Sequence, residues 1–204
     1  MTQRLLLATR SGHKLGELRA VLDLGPDVEL LSPDDAGVRG DPVEDSETFE
    51  GNALIKARYY AERAGLPVIA DDSGLEVDAL RGGPGVRTRR YAGEDASDSD
   101  NNAKLLRALT GLPPPGRTAR YRCVLVYLER PESEPLITSG TFEGRIALAL
   151  RGHGGFGYDP IFEPATEPDG GRTVGELSAA EKNRVSHRAI AARAMGALLR
   201  GDRS

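Results

Sequence analysis

With 204 residues, 39% of them hydrophobic, the chain can bury a core as one domain or as two closely joined lobes. Its 27 basic and 31 acidic residues leave a net charge of −4, which argues against a protein whose main task is to coat nucleic acid. One cysteine and three histidines exclude an internal disulfide and argue against a structural zinc site, and no segment approaches a membrane span.

The opening MTQRLLLATR has a short apolar run followed at once by polar residues, unlike a signal peptide, so a soluble, cytoplasmic protein is expected. Arg4 to Thr9 predicts a short strand covered on both faces. A helix from about His13 to Leu24 should stop at Gly25-Pro26, and Val28 to Leu31 is a second strand. Within Glu47 to Ala64, Phe49, Ala53, Ala57, Tyr60 and Ala64 recur at helical spacing, and Gly65 supplies the stop. Leu66 to Ala70 is a buried strand that delivers the acidic pair Asp71-Asp72 to a turn. Asp95 to Ser99 is rich in capping residues ahead of a helix over Ala103 to Leu109. Gly111-Leu-Pro-Pro-Pro-Gly116 reads as a loop between structural units, since three prolines cannot continue a helix. Cys123 lies in an apolar run and is expected as a buried, inert thiol. Arg120 to Glu129 and Leu136 to Phe142 form an antiparallel pair through Arg130 to Pro135, with a third strand at Arg145 to Leu150. The Ala-rich stretch Ser178 to Arg200 is helical. A strand–helix–strand half followed by a hairpin half predicts an α/β fold, a mixed sheet flanked by helices with a cleft between two lobes.

Four stretches could carry chemistry. In Ala8 to Lys14 a strand passes through a Gly-containing turn into a helix, whose first N–H groups suit phosphate, with Lys14 and the Thr9 and Ser11 hydroxyls as further donors. Taken alone, it is better read as a connector with Ser11 as N-cap, and it lacks Walker A spacing. Asp71-Asp72, with Glu44 and Glu47 upstream, suits Mg²⁺, though acidic pairs also occur in ordinary turns. Gly152 to Pro160 offers glycines for close approach, Phe156 and Tyr158 for stacking a planar base, and Asp159 to read its donor edges. The competing reading is a Gly-rich loop with its aromatics folded into the core. Glu181 to Arg188 is a cationic run on or entering the last helix, with Arg184 and Arg188 one turn apart, or else a solvated face. Together the four make the inventory for a nucleoside triphosphate.

The blocks ATRSGHK, ETFEGNALIKAR, ADDSGLEVDAL, GGFGYDPIF and EKNRVSHRA resemble, in order, those of the inosine triphosphate pyrophosphatase family, known in bacteria as dITP/XTP pyrophosphatase. The resemblance runs from about Leu5 to Arg188. It implies hydrolysis of ITP, dITP and XTP to monophosphate and pyrophosphate, which cleanses the nucleotide pool of deaminated purines. It also implies a Mg²⁺-dependent homodimer with an elongated mixed sheet and a central substrate cleft. Its partners would be small-molecule nucleoside triphosphates, with neither nucleic acid nor membrane. Carried over by position, Thr9, Arg10, Ser11, Gly12, His13 and Lys14 grip the triphosphate, and Lys56 lies near the phosphates. Asp72 is implied as metal ligand and proton acceptor, with Asp71 beside it and Glu44 as a further metal ligand. Ser73, Phe156, Gly157, Tyr158, Asp159, Lys182, His187 and Arg188 match the remaining substrate contacts, the last three near the base. Two departures stand out: Ser11 replaces the usual Asn, and Arg89 in Thr88-Arg89-Arg90-Tyr91 has no assigned role. The stretch 163–176 is expected as a mobile loop near the site. The rival readings are a pyrophosphatase for pyrimidine or modified triphosphates on a related fold, and a nucleotide-binding protein without turnover.

Overall fold

The computed structural model describes residues 2–201. Six strands make one sheet: β1 (Gln3–Leu7), β2 (Val28–Leu31), β3 (Val68–Val77), β4 (Thr118–Leu128), β5 (Leu136–Ile146) and β6 (Phe162–Pro164), in the order β2-β1-β3-β4-β5-β6. β1 pairs in parallel with β2 and β3, whereas β6 runs antiparallel to β5, so the sheet is mixed. The helices are α1 (Gly12–Val21), α2 (Phe49–Ala64), α3 (Asp98–Ala108), α4 (Ala179–Val185) and α5 (His187–Arg200). None of the described helices is long and apolar enough to cross a membrane.

Local chemistry sets these boundaries. Thr48 accepts the Gly51 N–H to start α2, and Gly65 ends it in the left-handed conformation, at φ 61°, with its N–H on the Ala61 carbonyl. Ser97 and Asp100 cap α3 reciprocally, each side chain accepting the other's backbone N–H. Ser11 caps α1, whose last turn closes at Val21, three residues before the expected end.

Two compact units share the chain. One draws on residues 2–72, 123–140 and 187–201, the other on 73–122 and 141–186. The first has a core of Leu5, Leu7, Leu18, Ile69, Leu125 and Met195, with Cys123 buried among them. Burial pushes that thiol up to about 12, as suits an inert sulfur. The second has its own core around Leu75, Val77, Leu105, Phe142, Tyr158 and Phe162. Gly111 to Gly116, expected as a loop between structural units, lies inside the second unit instead. Beside it, the buried Arg117 donates to the carbonyls of Leu109, Ile146 and Ala147, each at 2.7 Å.

The chain departs from the sequence expectations in several further places. β3 does not end at Ala70: it runs on to Val77, because the buried Leu75 and Val77 resume the apolar pattern past the acidic pair. No strand spans Arg145 to Leu150: β5 extends to Ile146 and pairs with β6 instead. Ser178 to Arg200 is two helices, since Ser186 is extended at φ −67°, ψ 153°, so Arg184 and Arg188 share no helical face. Finally, the stretch 163–176 is fastened by salt bridges and backbone hydrogen bonds. The buried Glu163 accepts from Arg145 at 2.7 Å, and Arg151, also paired with Glu163, donates to the Gly170 and Gly171 carbonyls at 2.8 and 2.6 Å.

Candidate active site

The site residues fall into two sets, one in each unit. In the first, the turn from β1 into α1 is organised by its own hydroxyls: Thr9 Oγ1 accepts the Ser11 N–H at 3.2 Å, and Ser11 Oγ accepts the Lys14 N–H at 3.4 Å. Gly12 and His13 are exposed in the first turn of α1, where backbone N–H groups lack helical partners. Arg10 is drawn into the segment 34–41, donating to the Val38 and Gly40 carbonyls at 2.8 and 3.2 Å and pairing with Asp34 and Asp41. It holds that segment in place.

Asp71 and Asp72 follow from this frame. Successive side chains of a strand point to opposite faces, so the pair must divide. Asp71 is 1% exposed and pairs with Lys14 at 2.8 Å and Arg188 at 3.3 Å. Burial opposes its ionisation, but the Lys14, Arg188 and Lys56 charges overcome it and hold the carboxyl well below the usual carboxylate range. Arg188 also pairs with Glu17, and these two carboxylates, with its charged surroundings, keep the buried guanidinium protonated despite desolvation. Asp72 goes the other way. Burial pushes it up to about 6, with Lys56 and Lys14 opposing and Glu44 and Asp71 adding to the rise. Its Oδ2 accepts from Asn52 Nδ2 at 3.2 Å. Lys56 ties the set together, pairing with Glu44 at 2.8 Å and donating to the Asp71 carbonyl at 2.9 Å. Desolvation would discharge this lysine, but Asp71, Glu44 and Asp72 raise it.

Among the described residues, no three His, Cys, Asp or Glu side chains are arranged to hold a metal ion. Of the expected trio, Asp71 is taken up by cations. Asp72 and Glu44 remain as two carboxylates close enough that Glu44 raises Asp72. That donor set fits Mg²⁺, which takes one or two carboxylates and completes its shell with water and phosphate.

In the second unit, Asp159 is 2% exposed and organises the loop before it. Its Oδ2 accepts from Lys182 Nζ at 2.6 Å and from the Phe156 N–H at 2.9 Å, and its Oδ1 from the Tyr121 hydroxyl at 3.3 Å. Lys182 Nζ also lies 4.4 Å from the centre of the half-buried Phe156 ring. Tyr158 is folded into the core, its hydroxyl donating to the Thr88 carbonyl at 2.9 Å. Of the two aromatics proposed for stacking, only Phe156 remains partly open. Gly155, at φ +72°, has no room for a side chain, since a Cβ would run into the Asp159 carboxylate. The Gly157 N–H donates to Asp98 Oδ2 at 2.7 Å, and its carbonyl accepts from Asn102 Nδ2 at 2.8 Å. Ser73 is half-buried where β3 enters this unit.

The first set thus gathers Lys14, Glu44, Lys56, Asp71, Asp72 and Arg188, and the second gathers Phe156, Asp159 and Lys182. Lys182, His187 and Arg188, expected near a base, are all buried, Lys182 within the second unit and His187 and Arg188 within the first. Arg89 is exposed and contributes its carbonyl, which accepts from Asn101 at 2.8 Å. Sequence reasoning missed Asn52, Glu17, Tyr121, Asp98 and Asn102. Two of these carried a signal: Asn52 lies one turn before Lys56 on α2, and Glu17 one turn after Lys14 on α1.

The Ham1 family profile matches residues 5–198. A dITP/XTP pyrophosphatase of Thioalkalivibrio sulfidiphilus is 47% identical over 199 residues, spanning 97% of this chain and 99% of its own length. The solved structure of a HAM1 protein from Coxiella burnetii matches with a TM-score of 0.87 at 38% identity, over 98% of this chain and 99% of that one. That of a nucleoside-triphosphatase / dITP/XTP pyrophosphatase from Mycobacterium abscessus matches with a TM-score of 0.75 at 43% identity, over 97% and 99%.

Proposed function

The chain belongs to the Ham1 family, and we propose that it hydrolyses non-standard purine nucleoside triphosphates (ITP, dITP and XTP) to the monophosphate and pyrophosphate. The observation that carries this reading is the division of the acidic pair. Asp71 is held ionised by lysine and arginine, while Asp72, beside it, is poised near 6 with a carboxamide on one oxygen. A carboxylate poised there can take a proton at neutral pH.

Water attacks the α-phosphorus in line and pyrophosphate leaves. Asp72 orients that water and accepts its proton, and Asn52 keeps the carboxylate from rotating. Lys14, Lys56 and the N–H groups at the start of α1 meet the triphosphate and stabilise charge on the departing pyrophosphate. Asp71 keeps Lys14 pointed for that task. Asp72 and Glu44 would hold Mg²⁺, which when bound would neutralise phosphate charge.

The purine lies against Phe156, with Lys182 and Asp159 at its edge. A donor from Lys182 to the six-position oxo group accepts hypoxanthine and xanthine, whereas adenine places an amine against that donor and leaves it unpaired. Arg188 is committed to Asp71 and Glu17 and supports the phosphate end instead. Homodimer formation and a cytoplasmic location belong to the proposal through the family resemblance alone.

The test is to incubate the protein with Mg²⁺ and ITP and identify the products, with UTP, CTP, ATP and GTP run beside it. Inosine monophosphate and pyrophosphate are expected, with the standard nucleotides turned over more slowly. Orthophosphate as the primary product, or a preference for a pyrimidine, would overturn the reading.

A further inference from the structure

The loop that carries Phe156 and Asp159 is gripped from α3, a helix outside every sequence block that carries the resemblance. We propose that Asp98 and Asn102 are positioning residues for purine recognition, setting the planes of Phe156 and Asp159 by holding Gly157 between them. This inference rests on the reading that the Phe156–Asp159 loop seats the base.

Both main-chain groups of Gly157 are taken by side chains one helical turn apart: Asp98 Oδ2 accepts its N–H at 2.7 Å and Asn102 Nδ2 donates to its carbonyl at 2.8 Å. Asn102 is itself locked, being 2% exposed and donating from the same nitrogen to the Asp98 carbonyl at 2.7 Å. The segment it grips is a closed turn. The Asp159 N–H meets the Phe156 carbonyl at 3.2 Å, and the Asp159 carboxylate returns to the Phe156 N–H at 2.9 Å. Gly157 is the middle of that turn and sits at φ +62°, a conformation with little intrinsic preference to hold it there. What fixes it is the charge-assisted bond from Asp98 and the amide of Asn102. Neither group of Gly157 is then left to read the base. Discrimination falls to Phe156, Asp159 and Lys182, whose geometry depends on the turn.

Asp98 is exposed, so Asp98→Ala removes the grip without opening the core. The variant is expected to raise KM for ITP about tenfold with kcat within about twofold. The preference for ITP over GTP, as a ratio of kcat/KM, should shrink about fivefold. Inorganic tripolyphosphate, which has no base, should inhibit the variant as it inhibits the wild type. Asp98→Asn keeps an acceptor oxygen and should recover most of the loss. A fall in kcat at unchanged KM, equal weakening of tripolyphosphate, or no effect of Asp98→Ala would overturn the inference, as would Asp98→Asn behaving like Asp98→Ala. If the wild type fails to release pyrophosphate from ITP, the functional reading has failed; if it succeeds and Asp98→Ala matches it, only this inference has.

Discussion

Asp71 and Asp72 are consecutive residues of β3 whose carboxyl groups are driven in opposite directions, the first kept ionised by Lys14 and Arg188 and the second pushed up to about 6. Burial acts against both charges; what differs is the company. Asp71 makes direct ion pairs with two cations, while Asp72 has a neutral amide on one oxygen, and the pull of Lys56 and Lys14 on it is opposed by burial, Glu44 and Asp71.

Asp72→Asn should separate activity from stability. Loss of the proposed base and metal ligand should lower turnover by about 10³-fold or more, read as pyrophosphate release. The folded value lies above the ordinary 3.8, so the folded state binds this proton more tightly. The stabilisation is complete below pH 3.8 and is lost as pH rises through about 6. At pH 8 the ionised group therefore strains the fold, and the neutral amide should raise stability in urea by about 1–2 kcal/mol. Near wild-type turnover would remove Asp72 from the mechanism.

Asp71→Ala should destabilise instead. It leaves the buried Arg188 and Lys14 without a main counter-charge, a loss of about 3 kcal/mol or more in urea unfolding at pH 7. Because the folded value is depressed, Asp71 contributes its stability above the ordinary 3.8 and loses it as pH falls through the lowered value. The gap between wild type and variant should accordingly narrow in strong acid. A constant gap from neutral to strongly acidic pH would contradict the ion-pair assignment.

The pH profile of kcat/KM should bend near 6 on its acid side, reporting Asp72 in the free enzyme. Lys56→Met removes a cation that favours the Asp72 carboxylate, so the bend should move upward by about one unit. An unmoved bend would assign that limb to another group.

Gly155→Ala tests the base loop from its other side. A methyl group there meets the Asp159 carboxylate, at a backbone angle that disfavours any side chain. ITP affinity should fall about tenfold or more, whereas inhibition by tripolyphosphate should stay at its wild-type level. Equal losses for both would mean that the loop supports the whole site.

Mg²⁺ should raise the melting temperature of the wild type, since a ligand that binds only the folded state stabilises it. Asp72→Asn should abolish most of that rise, and chelation should stop turnover. A rise that survives the substitution would place the ion elsewhere.

Much of the fold was legible because its signals are local. Gly65 marked the end of α2, the Leu5–Leu7 run marked a covered strand, and Val28–Leu31 was read to the residue. The family followed from the ordered blocks and the mixed, helix-flanked sheet from the order of predicted strands and helices, and both are borne out by the family match and the solved relatives. The errors came where local chemistry points one way and tertiary pairing the other. Asp-Asp-Ser-Gly has the composition of a turn, yet it continues a strand because the next apolar residues are buried. The Ala-rich tail has uniform helical propensity, and only the extended Ser186 divides it. In the site, residue types were readable while partners were not. Nothing local says that Arg188 meets Asp71 and Glu17, or that Asp98 and Asn102 reach a glycine more than fifty positions away.

The Asp71–Arg188 pair spans 117 positions, and that separation has a kinetic consequence. A nascent chain emerging in order exposes Asp71 with Lys14 and Lys56 already made, but its third counter-charge comes only with the start of α5. Until then Asp71 has two of its three counter-charges, and burying it without the third is costly; long-range closure of this kind is slow. The charge set around Asp71 is therefore among the last features of the fold that synthesis completes. A product truncated before Arg188 would lack one of the three cations that hold Asp71 ionised.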